Sequence, residues 1–309
     1  MSDLAIKCQG LTKRYGSVLA LDGLDLEVPP HVVFGFLGPN GAGKTTTIKI
    51  LAGLISATRG EALLAGQRVS PRDPSSRRRV GYLPEDPSFY NWMTATEYLR
   101  FMAGLLGIGG DQARVRAEEL LHLVDLREAA RRRVGGFSRG MRQRLGIAQA
   151  LLGQPEVLLL DEPSSALDPL GRRDVLALIE RLAGERTVFM STHILADVER
   201  VCAQVAIINH GKLVAQASQE ELRRRYAAPV FEIETTAEVP DLVERLGRLP
   251  WVVRVDQERD LLRLTTTDPA LARRELPHLV AGLGEQLVRY EQVGPTLEDV
   301  FVRLVQEQG

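Results

Sequence analysis

The segment Gly38-Pro39-Asn40-Gly41-Ala42-Gly43-Lys44-Thr45-Thr46 restricts this chain more than any other stretch. It follows the apolar run Val32–Leu37 and leads into a helix-like stretch, Thr45–Ala52. The pattern G-x-x-x-x-G-K-[ST] between a strand and a helix makes a loop whose backbone N–H groups turn inward around phosphate oxygens. The helix N-terminus behind it adds a favourable dipole. Lys44 supplies a point charge for the outer phosphates, and the Thr45 hydroxyl is a hard oxygen ligand for Mg²⁺. A glycine-rich turn with an incidental lysine would need neither flanking element. The segment therefore predicts a triphosphate site.

The 309 residues suffice for one large domain and a small one. A hydrophobic content of 44% with 26% charged residues describes an ordinary globular protein. The net charge of −1 creates no global field for nucleic acid, and no nucleic-acid partner is expected. Arginine clusters at Arg77–Arg79, Arg131–Arg133 and Arg223–Arg225 read as solvated helix faces or ends. No apolar run approaches the roughly 18 residues a membrane helix needs, and no secretory leader is evident. Cys8 and Cys202 are too isolated for a disulfide framework or a metal knuckle. The expected location is cytoplasmic, with any membrane part supplied by another chain.

Short strands are expected at Ala5–Gln9, Leu24–Val28, Val32–Leu37, Glu61–Leu64 and Val80–Leu83. The stretch from about Thr94 to Leu152 reads as helical, including Asp111–Val124, where Val115, Leu120, Leu121 and Val124 fall near helical spacing. Buried strands then alternate with helices: Val157–Asp161, Leu170–Ala183, Thr187–Ser191, Ile194–Cys202 and Val205–Asn209. That alternation predicts an α/β fold with a parallel sheet and helices on its faces. A boundary is expected near Tyr226–Val230, giving domains 1–227 and 228–309. Beyond it, a β-α-β-β-α-β order predicts a small α+β domain of ferredoxin-like type, closed by a helix from Thr296 to Val305.

Val157-Leu158-Leu159-Leu160-Asp161-Glu162-Pro163 is a buried strand ending in two adjacent carboxylates. Ligands of such sheets bind beyond the carboxyl ends of the strands, and alternation aims neighbouring side chains differently. Asp161 is thus a candidate Mg²⁺ ligand acting through water, and Glu162 a candidate base or water-positioning group facing the γ-phosphate. A strand-end Asp-Glu pair that merely caps the next helix is the blander alternative, and the phosphate loop upstream weighs against it.

From Ile6 to Tyr226 the chain resembles the nucleotide-binding subunits of ATP-binding cassette (ABC) transporters. Phe137-Ser138-Arg139-Gly140-Met141-Arg142-Gln143-Arg144 is similar to the family signature, ahead of the Asp-Glu strand. Ser165-Ala166-Leu167-Asp168 resembles the loop that follows that strand, and Ser191-Thr192-His193 the switch histidine after the next one. Tyr15, in Lys13-Arg14-Tyr15-Gly16, matches the aromatic on which adenine stacks. The resemblance implies an antiparallel N-terminal β subdomain, a RecA-like parallel core and a helical subdomain at about 86–155. It implies ATP and Mg²⁺ as ligands and ATP hydrolysis as the reaction. It further implies a second copy of the chain, joined head to tail, and a separately encoded transmembrane permease that holds the chain at the cytoplasmic face of the membrane. In that arrangement Ser138 and Gly140 reach the γ-phosphate bound by the other copy, His193 hydrogen-bonds a γ-phosphate, and Asp168 links the two sites. Ser138 also reads as a plain N-cap, and Leu-Asp-Pro around Asp168 as an ordinary helix start.

Two departures stand out. The signature's second position is Arg139 in place of glycine and its fifth is Met141 in place of glutamine, while Ser138 and Gly140 are kept. Glu85, in Gly81-Tyr82-Leu83-Pro84-Glu85-Asp86, occupies the place of the usual glutamine metal ligand. A carboxylate still ligates Mg²⁺, but it repels phosphate oxygens where no metal intervenes. The Pro-Glu loop, with Gly294-Pro295-Thr296-Leu297-Glu298-Asp299-Val300-Phe301, resembles the drug-resistance and antibiotic-export branch. Phe89, Tyr90, Trp92 and Met93 are expected either to receive a permease helix or to pack the helical subdomain. The alternative function is a soluble, non-transport ABC ATPase, but too few positions separate Lys44 from Ser138 for the long coiled coils of repair and chromosome proteins. A P-loop kinase would have no evident need of the signature or the switch histidine.

Overall fold

The computed structural model describes residues 4–226, 229–283, 286–294 and 296–306. It divides into two compact units between Gln219 and Glu220, ahead of the boundary expected from sequence. In the first unit, in chain order, lie β1 (Ile6–Tyr15), β2 (Val18–Val28), β3 (Val33–Leu37), α1 (Lys44–Leu51), β4 (Arg59–Leu64), β5 (Gln67–Arg68), α2 (Pro74–Arg77) and β6 (Val80–Leu83). Then come α3 (Ala95–Leu105), α4 (Gly110–Leu123), α5 (Arg139–Ala150), β7 (Val157–Asp161), α6 (Pro169–Leu182), β8 (Thr187–Thr192), α7 (Leu195–Val201), β9 (Gln204–Asn209) and β10 (Lys212–Ser218).

The six-stranded sheet runs β10-β9-β3-β8-β7-β6. Its strands from β9 to β6 are parallel, and β10 returns antiparallel along β9. Every residue of β3, β7 and β8 is buried, as expected of parallel strands covered on both faces. Phe34 and Phe189 are cross-strand partners with stacked rings 5.6 Å apart, and Phe36 lies 5.2 Å from Phe189. Because β3, β6, β7 and β8 run the same way, the loops after them emerge on one edge. That edge carries the phosphate loop, Glu85, Glu162 and His193.

A separate antiparallel sheet, β2-β1-β4-β5, forms the N-terminal β subdomain. The helical segment is α3, α4 and α5. Thr94 and Glu97 make a reciprocal capping box at the start of α3. In α4 the buried face is Ala113, Ala117, Leu120 and Leu121, while Val115 is exposed. At about 100° per residue Val115 falls away from that stripe, so its expected place in it is corrected. The strand β10 was not anticipated. It returns through His210-Gly211, both at positive φ as a two-residue hairpin requires, but its half-buried sequence lacks a run of strong strand formers.

Helix α8 (Gln219–Tyr226) is followed by β11 (Val230–Thr235), α9 (Pro240–Gly247), β12 (Val252–Glu258), β13 (Leu261–Thr266), α10 (Pro269–Ala281), β14 (Leu287–Val293) and α11 (Leu297–Gln306). The sheet order is β12-β13-β11-β14, antiparallel throughout, which is the ferredoxin-like arrangement of a β-α-β-β-α-β unit. Phe231 and Ile233 of β11 and Leu262 and Leu264 of β13 share a core with Leu242 and Leu246 of α9 and Leu276 of α10. Alternation sends Glu232 to the opposite face, where Arg263 joins it (3.3 Å) and also reaches Asp299 of α11 (3.4 Å).

Phe189 is fully buried between two rings, so Phe189→Ala should leave a cavity at the sheet's centre. The expected loss is about 3–5 kcal/mol, read from urea unfolding. A loss below about 1 kcal/mol would mean that the ring stack does not close this core.

Candidate functional site

Lys44 is the first residue of α1, and the N-cap Gly43 is left-handed at φ 108°. A Cβ on Gly43 would lie 2.7 Å from the Ala20 carbonyl, and one on Gly38 would lie 2.4 Å from the Ile208 carbonyl. Both glycines are therefore required for the loop to seat. The loop, from Pro39 to Thr46, lines a cleft of about 350 Å³ together with Ala20, Glu85, Glu162, Ser165 and His193.

Lys44 is buried, and its Nζ donates to the carbonyls of Gly38 (2.7 Å) and Pro39 (3.3 Å). The same Nζ lies 3.3 Å from Glu162 Oε1, and His193 Nδ1 lies 2.9 Å from Glu162 Oε2. Glu162 thus sits between a lysine and a histidine at the mouth of the loop. Its backbone is left-handed at φ 49°, an uncommon conformation for a side-chain-bearing residue. Its N–H donates to the Ser191 carbonyl (3.2 Å) and hydroxyl (3.1 Å), which locks it to β8.

Asp161 is the last residue of β7, and the left-handed turn at Glu162 gives the two carboxylates different partners. Asp161 Oδ1 accepts from Ser191 Oγ (2.6 Å) and Thr45 Oγ1 (3.2 Å). Burial pushes this carboxyl above the usual range and the Glu162 charge adds to the effect, against the hydrogen bonds from Ser191 and Thr45. Among the described residues no group of three or more His, Cys, Asp and Glu side chains is arranged to hold a metal by itself. The donors near the loop are nonetheless hard oxygens, a hydroxyl and a carboxylate, which suits a Mg²⁺ ion shared with phosphate oxygens.

The remaining candidates lie outside the cleft's lining. Tyr15 ends β1 with its ring substantially exposed and Lys13 Nζ 4.9 Å from its centroid. Ser138 caps α5, accepting from the Met141 N–H (3.2 Å), and Gly140 faces Gly171. Asp168 caps α6, accepting from the Gly171 N–H (2.8 Å). The plain capping readings of Ser138 and Asp168 therefore hold within one chain. Ser191, the last residue of the strand expected from sequence, links Asp161 and Glu162. A polar residue near the end of an apolar buried strand is the signal for it.

The strand order and the loops gathered at one edge define a P-loop nucleotide-binding ATPase core. Residues 21–165 match the ABC transporter family, and residues 218–305 match the C-terminal domain of the DrrA1-3-like ATP-binding proteins. The ABC transporter ATP-binding protein YxlF of Bacillus subtilis is 38% identical over 97% of this chain and 99% of its own length. The bacitracin transport ATP-binding protein BcrA of Bacillus licheniformis is 44% identical over 71% of this chain and 72% of its own. The daunorubicin resistance ATP-binding protein DrrA2 of Streptomyces coeruleorubidus is 34% identical over 98% and 96%. Among solved structures, an ATP-binding subunit of an ABC transporter aligns with a TM-score of 0.64 at 30% identity, covering 72% of this chain and 93% of that one. The dimeric post-hydrolysis state of the cassette MJ0796, bound to ADP and Pi, aligns at 0.62 and 25% identity, covering 69% and 98%. This chain belongs to the ATP-binding proteins of ABC transporters, and it is an ATPase.

The raised pKa of Asp161 has a consequence for stability. A carboxyl whose folded-state pKa is raised adds stability below its unfolded pKa and loses it as pH rises through the folded value. Asp161→Asn cannot ionise and keeps an oxygen for Ser191 and Thr45. Its nucleotide-free form should melt above wild type at about pH 7.5, with the gap closing toward about pH 4. Circular-dichroism melts across that range check this, and a lower melting temperature at the higher pH would overturn it.

Proposed function

We propose that this chain is the ATP-hydrolysing subunit of an exporter of drug-like, antibiotic or lipid-like compounds, paired head to tail with a second copy beneath a separately encoded permease at the cytoplasmic face of the membrane. The observation that carries the hydrolytic part is Glu162, held between Lys44 Nζ at 3.3 Å and His193 Nδ1 at 2.9 Å at the mouth of the phosphate loop. Backbone N–H groups of Asn40–Thr46 cradle the phosphates, and Lys44 leaves its loop carbonyls and Glu162 for phosphate oxygens. Thr45 and Asp161, with Glu85 of the cleft lining, would hold Mg²⁺ directly or through water, and the ion would supply neutralising charge for the outer phosphates. Glu162 takes a proton from the attacking water, and His193 keeps Glu162 and the γ-phosphate in register. Tyr15 carries the adenine ring.

The N-terminus of α5, at Ser138 and Gly140, serves the phosphate of the opposite copy, and Asp168 lies at the contact between them. The dimeric cassette among the structural relatives supports this pairing. Among the described residues no helix is long and apolar enough to cross a membrane, which is consistent with a separate permease. Tyr90 and Trp92 are exposed beside half-buried Phe89 and Met93, so the aromatic cluster both packs and presents a face to a permease helix. The bacitracin-transport and daunorubicin-resistance relatives support export over a soluble ATPase.

Glu162→Gln should bind ATP, lose turnover by roughly 10²–10⁴-fold and accumulate as an ATP-bound dimer. Steady-state phosphate release and size-exclusion chromatography with ATP check this, and near-normal turnover would remove Glu162 from the base role. A chain ending at Tyr226 should retain ATP binding and basal hydrolysis while losing stimulation by the permease. Titration calorimetry reads the first part, and absence of ATP binding would refute an independent nucleotide-binding unit.

A further inference from the structure

Helix α7 carries a buried carboxylate that the proposed mechanism does not use. Asp197, in the first turn of α7, has no exposed surface. One carboxylate oxygen accepts a hydrogen bond from Ser164 Oγ, and the other takes Arg172 Nε at 2.6 Å. Ser164 is itself buried in the loop after β7, and Arg172 lies on α6.

These partners belong to three segments that each carry a candidate site residue. The loop with Ser164 follows Glu162, α7 follows His193, and α6 is capped by Asp168. Ser164 also lies between two left-handed residues, Glu162 at φ 49° and Ala166 at φ 52°. Such backbone is unfavourable for residues with side chains and persists only where surrounding contacts hold it. Within this loop the Ser165 N–H donates to the Glu162 carbonyl (3.1 Å), so the loop's own bonds tie it to Glu162. The Ser164 hydroxyl ties it to α7.

An ion pair between a buried aspartate and a half-buried arginine is weak evidence for stability, since apolar residues often serve a fold equally well. Its value here lies in direction. We infer that Asp197 is a positioning residue for hydrolysis, fixing Ser164 and α6 so that the Glu162 carboxylate stays aligned between the phosphate loop and His193. This rests on the reading of Glu162 as the base. Without Asp197, the loop loses the contact that ties Ser164 to α7, and a displacement near 1 Å at a reacting group costs about 10²-fold. Nucleotide affinity depends on the phosphate loop, whose contacts to Lys44 do not pass through Asp197.

The test is steady-state and single-turnover ATP hydrolysis by full-length Ser164→Ala, Asp197→Asn, the double variant and Glu162→Gln. Ser164→Ala deletes one hydroxyl and keeps the Arg172–Asp197 ion pair, so it remains informative if Asp197→Asn fails to fold. Both single variants should lose roughly 10- to 100-fold in kcat with KM for ATP within about two-fold, and the double variant should lose no more than Asp197→Asn alone. A kcat within about two-fold of wild type in Ser164→Ala, or a kcat loss matched by loss of ATP affinity, would overturn the inference. Normal turnover by Glu162→Gln would remove the base and with it any residue placed to position it. Inactive Glu162→Gln beside active Ser164→Ala and Asp197→Asn would overturn the positioning role alone.

Discussion

Two adjacent carboxylates at the end of a buried strand are the constraint around which this nucleotide-binding unit is arranged. Asp161 and Glu162 are both nearly inaccessible, and like charges so close in a low dielectric repel unless each is compensated. The fold compensates them with different partners. Asp161 takes hydroxyls from Ser191 and Thr45, and Glu162 takes a lysine and a histidine. Lys44 and Thr45 open α1 after β3, while Ser191 lies in β8 and His193 follows it, so this compensation goes with β3, β7 and β8 being gathered in one parallel sheet. The strand order suits the chemistry at its edge as well as the apolar runs within it.

Much of this was legible because the relevant signals are local. The all-apolar runs of β3 and β7, the glycine spacing before Lys44 and the acids after Leu160 each state their structure over a few residues. What stayed hidden depends on packing partners distant in the chain. The edge strand β10 has a weak local pattern and is defined by β9. The exposure of Val115 depends on which side of α4 is covered. Ser191 and Asp197 read as unremarkable polar residues until the fold brings Asp161 and Ser164 to them.

Ser138 and Asp168 illustrate why a single sequence position can support two readings without contradiction. Each side chain accepts from a backbone N–H of its own helix, so each is accounted for as a cap. A cap leaves the other N–H groups of the first turn unpaired within the helix. The α5 terminus therefore stays competent for an anion after its serine is occupied. The capping contact orders that terminus, and the proposed partner phosphate would use what the cap leaves over.

The departure at Glu85 matters most for electrostatics. An amide at that place would add no charge, whereas a carboxylate adds a further negative group to a cleft that already contains Glu162 and lies over Asp161. Lys44 is the cation contributed by the loop itself, and it is engaged with Glu162 before nucleotide arrives. A triphosphate entering such a cleft meets more repulsion than it would beside glutamine, screened in part because Glu85 is exposed. On the proposed reading, affinity for ATP in this chain should therefore depend more steeply on a divalent cation than in a glutamine-bearing relative. Glu85→Gln should flatten that dependence: ATP binding measured without added divalent cation should rise, while the gain on adding Mg²⁺ shrinks. An unchanged cation dependence would place Glu85 outside the metal and phosphate environment altogether.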